Sequence, residues 1–447
     1  MSPSKRRFRR VWRPRFSTLF ALGIAALVAV LLGAAVLLGH NTEPAGKTVL
    51  TVRLWDQQVA AAYRQSFDAF TAANPDIDVR IDTVSYASYF DTMRTDVAGG
   101  GAADVFWINN ANFAAYADSG RLMPITPSRD WAPAVVEQFT RNQTLWGVPQ
   151  LTDAGIAVYY NADLLAEAGV DPAALTDLRW GGADDTLRPL AAQLTVDAAG
   201  RRAGTSGFDP ARIRQWGYNA ANDFQGIYLN FVASAGGTFH DGERFTFDNP
   251  QAATAFDYLV ALINTDHVAP SAADTNDNGD FSRNQFLAGR MALFQSGTYN
   301  LANVATQAKF RWGVTLLPSG PQGRISVTNG VVAAGNSASH HPEQVRRLLA
   351  WLGSTEGNAY VGAAGAAIPA VLSAQQVYRE YWRQRGVDVA PFFEVIEGPH
   401  VIAPGGTGFA AGLQATKPYF DEMFLGRLPV ADALQQAQRA ANTAAQR

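Results

Sequence analysis

The sequence has no cysteine in its 447 residues and only four lysines. Without cysteine there are no disulfides, no thiol catalysis and no thiolate-bound metal. Several catalytic signatures are missing too. The one Gly-Lys pair, Gly46-Lys47, lacks the upstream glycine of a phosphate-binding loop. GGTGFAAG (405–412) misses a dinucleotide fingerprint by one residue, and no strand leads into it. There is no G-x-S-x-G elbow. The six histidines (40, 240, 267, 340, 341, 400) show no H-x-x-x-H spacing, and His340-His341 reads as a surface pair ahead of a helix. No two carboxylates stand out as the acid pair of a glycoside hydrolase. None of these patterns points to catalysis or to a cofactor.

What is present points to an exported, two-bodied globular protein. A chain of this length exceeds what one hydrophobic core normally serves. Hydrophobic residues make up 47% and charged residues 17%, a globular balance and not a disordered one. Aromatics are abundant, with 10 Trp, 14 Tyr and 25 Phe, more than packing alone usually asks for. Charge is uneven. The first 15 residues carry Lys5 and six arginines and no acid, so against a total of −3 the remainder carries −10. So acidic a body is a poor match for nucleic acid. Residues 16–39, FSTLFALGIAALVAVLLGAAVLLG, carry no charge. They exceed the ~7–15 residues of a signal core and suit the ~20 that span a bilayer. Arginines on the N-terminal side hold that end inside and send the rest out. The expectation is a basic cytoplasmic head (1–15), a membrane anchor or alternatively a cleaved signal segment (16–39), and a polar linker (40–47).

Periodicity supplies the organisation. TVLTVRLW (48–55) reads as a strand ending at Trp55-Asp56. Val59, Tyr63, Phe67 and Phe70 share one helical face, and Asn74-Pro75 stops that helix. IDVRIDTV (77–84) alternates as a strand. Tyr86, Phe90, Met93 and Val97 mark a second helix, and DVFWI a third strand. This β-α-β-α-β order implies an α/β fold with a mainly parallel sheet flanked by helices. In such sheets ligands lie beyond the carboxyl ends of the strands. Trp55, Asp56 and Gln57 occupy one such end, and Trp107, Asn109 and Asn110 another. Later, Ile156–Tyr160 reads as a strand, and helices open at Asn161, Asn249-Pro250 and His341-Pro342. DTNDNGDFSRNQ (274–285) carries Asp274, Asn276, Asn278, Gly279 and Asp280 in the manner of a calcium loop. Its twelfth position, however, is Gln285 where a bidentate glutamate belongs. The expected reading is an Asx-rich turn ahead of a helix, with calcium as the alternative.

Six stretches in order resemble the extracellular solute-binding proteins of ABC importers, in the carbohydrate group that includes maltose-binding protein. They are FTAANPDIDVRI, DVFWINNANFAAYADSGRLMPITP, WGVPQLTDAGIAVYYNADLLAEAGVD, FLAGRMALFQSGTYNLANV, FRWGVTLLPSGPQG and HHPEQVRRLLAWLGSTEG. The resemblance runs from about residue 48 to the C-terminus. It implies two α/β lobes with a cleft between them: 48–151 plus 334–368, and 152–333 plus 369–447. It implies capture of a neutral mono- or oligosaccharide at the outer face of the cell membrane and delivery to an ABC permease. A non-sugar solute, or a surface sugar sensor, are the alternatives. A sugar has apolar faces and a rim of hydroxyls, which a ring and nearby amides or carboxylates would satisfy. By position, the resemblance implies ligand contacts from Trp55, Asp56, Gln57, Trp107, Asn109, Asn110 and Asp153. Further contacts are implied from Asn222, Asp223, Gln225, Tyr299, Asn329, Gly330 and Phe409. The family's lipid-anchoring cysteine is absent, and an uncleaved helix would replace it. The loop after Trp107 is one residue longer than the maltose-type pattern and has Asn110 and Asn112 in place of its charged pair.

Overall fold

Five of the expected elements form almost where the periodicity puts them. The structure, a computed structural model, describes residues 46–152 and 155–446. The basic head, the apolar segment 16–39, linker residues 40–45 and Asp153 lie outside the described residues. The first strand is Thr48–Leu54. Asp56 then caps the helix Gln57–Ala73, its carboxylate accepting the N–H groups of Gln58 and Val59. Val59, Tyr63, Phe67 and Phe70 are the buried stripe of that helix. The strand Ile77–Thr83, the helix Tyr86–Gly99 and the strand Val105–Asn109 follow. Gly100, in the left-handed region at φ 76°, ends the second helix.

The fold class is mixed α/β, but the sheets are not mainly parallel. The six-stranded sheet runs Ile368–Pro369, Val148–Thr152, Gly330–Gly335, Val105–Asn109, Thr48–Leu54, Ile77–Thr83. Thr48–Leu54 pairs parallel with Val105–Asn109. Gly330–Gly335 runs antiparallel to both Val105–Asn109 and Val148–Thr152, and Ile368–Pro369 antiparallel to Val148–Thr152. The second sheet is three strands, Leu293–Ser296, Ala157–Asn161 and Trp312–Leu316, and is antiparallel throughout. Strands that return from another body enter a sheet from its far end, and so run against it.

One hydrophobic core joins residues from Leu50 to Leu151 with residues from Val331 to Ala374. Two others lie among residues from Ile156 to Ala441. A lobe boundary at 334 would therefore cut a strand whose six residues are all buried. A boundary at 368 would strand Ala370, Val371 and Ala374 from their core.

Two aromatics expected on a cleft wall are core residues. Trp107 has no exposed surface, because all five residues of its strand are buried. A sheet covered by helices on both faces leaves no strand side chain in water. The indole N–H donates to the Tyr63 hydroxyl at 3.2 Å, and that hydroxyl donates to Gln150 Oε1 at 2.5 Å. Trp55 and Tyr63 flank the ring edge-on at 5.0 and 5.9 Å. Phe409 is 1% exposed and opens the helix Phe409–Phe424, its ring stacked on Phe245 at 5.2 Å. A loop there would have left it in solvent; a helix start turns it inward.

Asp197 is buried at the end of the strand Val196–Asp197. Burial alone would raise its pKa. N–H bonds from Arg201, Asp209 and Ala199, with the Arg201 guanidinium, more than offset this and hold it down to about 2. A carboxylate depressed in the folded state stabilises the fold above its ordinary value of 3.8. That contribution disappears as pH falls toward 2.

Two outcomes follow. Asp197→Asn should be less stable than wild type at neutral pH, and the difference should shrink as pH falls through the aspartate range; chemical denaturation as a function of pH measures it. Trp107→Ala should cost about 3–5 kcal/mol of stability, read as a lowered urea midpoint, because it empties a packed, hydrogen-bonded core site.

Candidate functional site

The strand Leu293–Ser296 runs out at Gly297, and the next residues build a pocket. Gly297 is required there: a Cβ would stand 2.2 Å from Tyr299 Cε1. The Tyr299 ring folds back over that bare backbone and remains 39% exposed. Tyr159 donates its hydroxyl to the Gly297 carbonyl at 2.8 Å and fixes the turn. Across from it the chain enters a wide helical turn, Phe224–Tyr228, capped by Asp223, whose carboxylate accepts the Gly226 N–H at 2.9 Å. Wide turns of this kind recur at functional sites.

These segments line an open pocket of about 470 Å³. Asn222, Asp223, Phe224, Tyr299, Asn300 and Asn303 face it, with Asp280, Ser282 and Arg283 on the opposite rim. Asp223 is reached by solvent, yet the surrounding walls push its carboxyl above the ordinary value, opposed by N–H bonds from Gly226 and Gln225. Arg283 pairs with Asp280 at 2.8 Å. The lining carries two carboxylates against one paired guanidinium, a poor cradle for a phosphorylated solute. Polar groups beside an exposed ring suit a neutral, hydroxyl-rich one.

A second cluster lies at the carboxyl ends of the first body's strands. Trp55 is half-buried, edge-on to Tyr86 at 5.6 Å. Tyr86 is 59% exposed. Asn109 donates to the Tyr86 hydroxyl at 3.3 Å and accepts from Asn112 at 2.8 Å. Gln57 donates to Thr83 at 2.9 Å. Tyr86 is absent from the residues singled out by sequence. Its signal was its place just past the end of the strand Ile77–Thr83, the same signal that marked Trp55 and Asn109.

The structure thus brings Asn222, Asp223 and Tyr299 together, and separately Trp55, Gln57 and Asn109. Other expected contacts have structural partners. Asp56 caps a helix. Asn110 is buried and donates to the carbonyls of Ala403 at 2.8 Å and Pro404 at 2.5 Å. It ties the two bodies and lines a pocket of about 300 Å³ with Gln138, Arg141 and Glu243. Gly330 is buried, donates its N–H to Gln138, and has Val135 2.6 Å from where a Cβ would stand. Asn329 donates to Gln225 Oε1 at 3.3 Å, so both serve the crossing. Near Asn110, Arg141 donates to Asp118 at 2.6 Å, to Glu243 at 3.0 Å and to Thr407 at 3.1 Å, a second tie between the bodies.

Three side chains of the calcium alternative have partners within the protein. Within residues 274–285, only 276–280 form a turn, between the helices Ala272–Thr275 and Phe281–Leu287. Asp274 accepts from the Ser271 hydroxyl, Asp280 pairs with Arg283, and Asn276 turns its amide nitrogen to the Asp421 carbonyl. Asn278 is left with no acidic cluster to join: among the described residues no group of three or more acids or histidines could hold a metal.

The model of the bacterial extracellular solute-binding protein family matches residues 55–359. The crystal structure of M. tuberculosis UspC is 69% identical, covers 89% of this chain and 100% of that one, and superposes with a TM-score of 0.77. A Listeria monocytogenes ABC substrate-binding protein in complex with cycloalternan is 20% identical over 89% of this chain and 98% of its own, with a TM-score of 0.75. The GacH receptor of Streptomyces glaucescens, studied with acarbose, is 18% identical over 90% and 99%, with a TM-score of 0.73. These last two share the fold. A Deinococcus radiodurans protein named "Probable ABC transporter-binding protein" is 27% identical over 244 residues, 53% of each chain. The chain thus matches about half the length of that relative. Together with the two-bodied fold, the match shows that this chain belongs to the bacterial extracellular solute-binding protein family of ABC transporters, which binds solutes and is not enzymatic.

Proposed function

We propose that this protein captures a neutral mono- or oligosaccharide between its two bodies and delivers it to the permease of an ABC importer. The observation that carries the reading is the pocket that asparagines and two solvent-reached aspartates, Asp223 and Asp280, line together with the exposed ring of Tyr299. A ring covers the apolar face of a pyranose, and amides and carboxylates pair hydroxyls that would otherwise cost ~1–3 kcal/mol each when buried. Tyr86 and Trp55 supply aromatic surface on the other body. Relatives of the same fold have been crystallised with cycloalternan, maltose and mannotriose.

The bodies of this reading are 50–152 plus 330–374, and 156–329 plus 375–446, following the cores and not the earlier boundaries. A solute that touches both favours the closed arrangement by its differential affinity for it. The permease then recognises the closed form. Residues 16–39 hold the protein at the outer face of the membrane, or direct its secretion.

The direct test is thermal unfolding against maltose, maltotriose, mannobiose, mannotriose, cycloalternan, acarbose and their monosaccharides. A sugar at ~1,000 times its Kd adds about 4 kcal/mol of stability, an easily seen rise in Tm. No rise with any sugar, from folded protein, would overturn the sugar reading. With a binding sugar in hand, Tyr299→Ala and Tyr86→Ala should each weaken affinity at least tenfold, about 1.4 kcal/mol, measured by calorimetry. Neither change should lower stability as Trp107→Ala does, since both rings are exposed.

A further inference from the structure

The segment DTNDNGD, which resembles a calcium loop, is clasped by an ammonium group. Lys417, on the helix Phe409–Phe424, places Nζ 3.3 Å from Asp277 Oδ1 and 2.5 Å from Asp421 Oδ2. Asn276 donates its side-chain N–H to the Asp421 carbonyl at 3.2 Å. The loop is thereby fastened at two consecutive residues to one turn of the late helix. Just beyond the fastening, Gly279 and Asp280 form part of the pocket rim.

The other oxygen of Asp421 points to the pocket wall. Asn222 donates Nδ2–H to Asp421 Oδ1 at 2.9 Å. A carboxylate only accepts, so this contact admits one amide orientation, with the nitrogen toward Asp421 and the oxygen turned away. Asn222 lines the pocket, and Asp421 and Lys417 do not. Asn300 behaves alike: its Nδ2–H is given to Ser296 Oγ at 2.8 Å. Asp223 accepts N–H bonds from Gly226 and Gln225.

We infer that the Lys417–Asp421 pair, locked by Asn276 and Asp277, is a positioning device that holds the Asn222 amide oxygen toward the pocket. The site then reads its solute as a set of hydrogen-bond donors. This rests on the pocket being the solute site. Lys417 neutralises Asp421, which can then sit a hydrogen bond away from the pocket without adding a bare charge to it. Asn276 and Asp277 are the loop's parts of that lock.

The test uses two readouts. In free protein labelled with 15N-asparagine, the Asn222 side-chain amide should give a resolved, slowly exchanging pair. Asp421→Ala should collapse it to solvent-like exchange, and Lys417→Met should weaken it. An Asn222 amide unmoved by Asp421→Ala overturns the inference, whatever the solute proves to be. The second readout is affinity for the sugar giving the largest Tm shift in the panel above. Asp421→Ala and Asn222→Asp should each weaken it about tenfold or more, the latter by setting two carboxylates side by side. The double variant Asn222→Asp/Asp421→Asn reverses the polarity of the bond while still presenting an oxygen, so it should return to within about threefold of wild type. Losses that simply accumulate in the double variant would mean a structural role only, and would overturn the inference. If no sugar in the panel binds, the sugar reading fails while the amide readout still decides the orientation of Asn222.

Discussion

The strand Gly330–Gly335 is the constraint on which the rest depends. It lies between Val105–Asn109 and Val148–Thr152, antiparallel to each, with every residue buried. The first body's sheet therefore stays incomplete until the chain has built most of the second body and come back. Its contacts span more than 170 residues of sequence, the kind of non-local pairing whose loop closure precedes any reward. Because the return must pass beside the outgoing strand, the crossings are forced together. Residues on them, such as Asn329, Gly330 and Gln138, are needed to pair the backbone there. Asn329 and Gln225 turn to one another there, while the hydroxyls of Thr152 and Thr328 and the amide nitrogen of Gln225 are buried with no hydrogen-bond partner among the described residues.

The ties between the bodies differ in strength, and the difference suits motion about a fixed pivot. Asn110 is buried and gives both amide hydrogens to carbonyls of the late loop. Removing such a group leaves buried acceptors unpaired, at a cost of ~1–3 kcal/mol. Arg141 and Glu243, by contrast, are partly exposed, with Glu243 more than half so. Ion pairs in that setting contribute about 0–1 kcal/mol. One contact holds the position of the pivot; the other can part at little cost. A solute bridging the two bodies needs only a modest differential affinity to move such a joint.

Much of the local architecture was legible in the sequence because periodicity is a local property. The stripe Val59, Tyr63, Phe67, Phe70 and the caps at Asn161 and Asn249 specify their helices without reference to anything distant. Sheet direction was not legible, since Gly330–Gly335 and Ile368–Pro369 pair with strands far off in sequence. The site divides on the same line. Asn222, Asp223 and Tyr299 lie in turns, where side chains reach solvent whatever packs elsewhere, and they do meet in one pocket. Trp107 and Phe409 look identical in sequence whether they end a cleft wall or fill a core; only the helices laid over them decide. Tyr86 was passed over because it also fits the apolar face of its own helix, beside Phe90.

The inward position of Trp107 changes what it contributes and does not make it irrelevant. It stands beneath Trp55, which stands beside Tyr86, each ring edge-on to the next. Tyr89 packs on Trp55 as well and bonds the Trp107 carbonyl at 2.9 Å. Below them the Tyr63 hydroxyl and Gln150 complete the hydrogen bond of the Trp107 indole. Aromatic side chains have two rotatable bonds, and rings braced this way have little freedom left to lose when a solute arrives. Affinity that would otherwise go into ordering a mobile wall is retained. The surplus of aromatics in the composition is then the substructure of a stiff surface: a few rings meet water, and the others keep them in place.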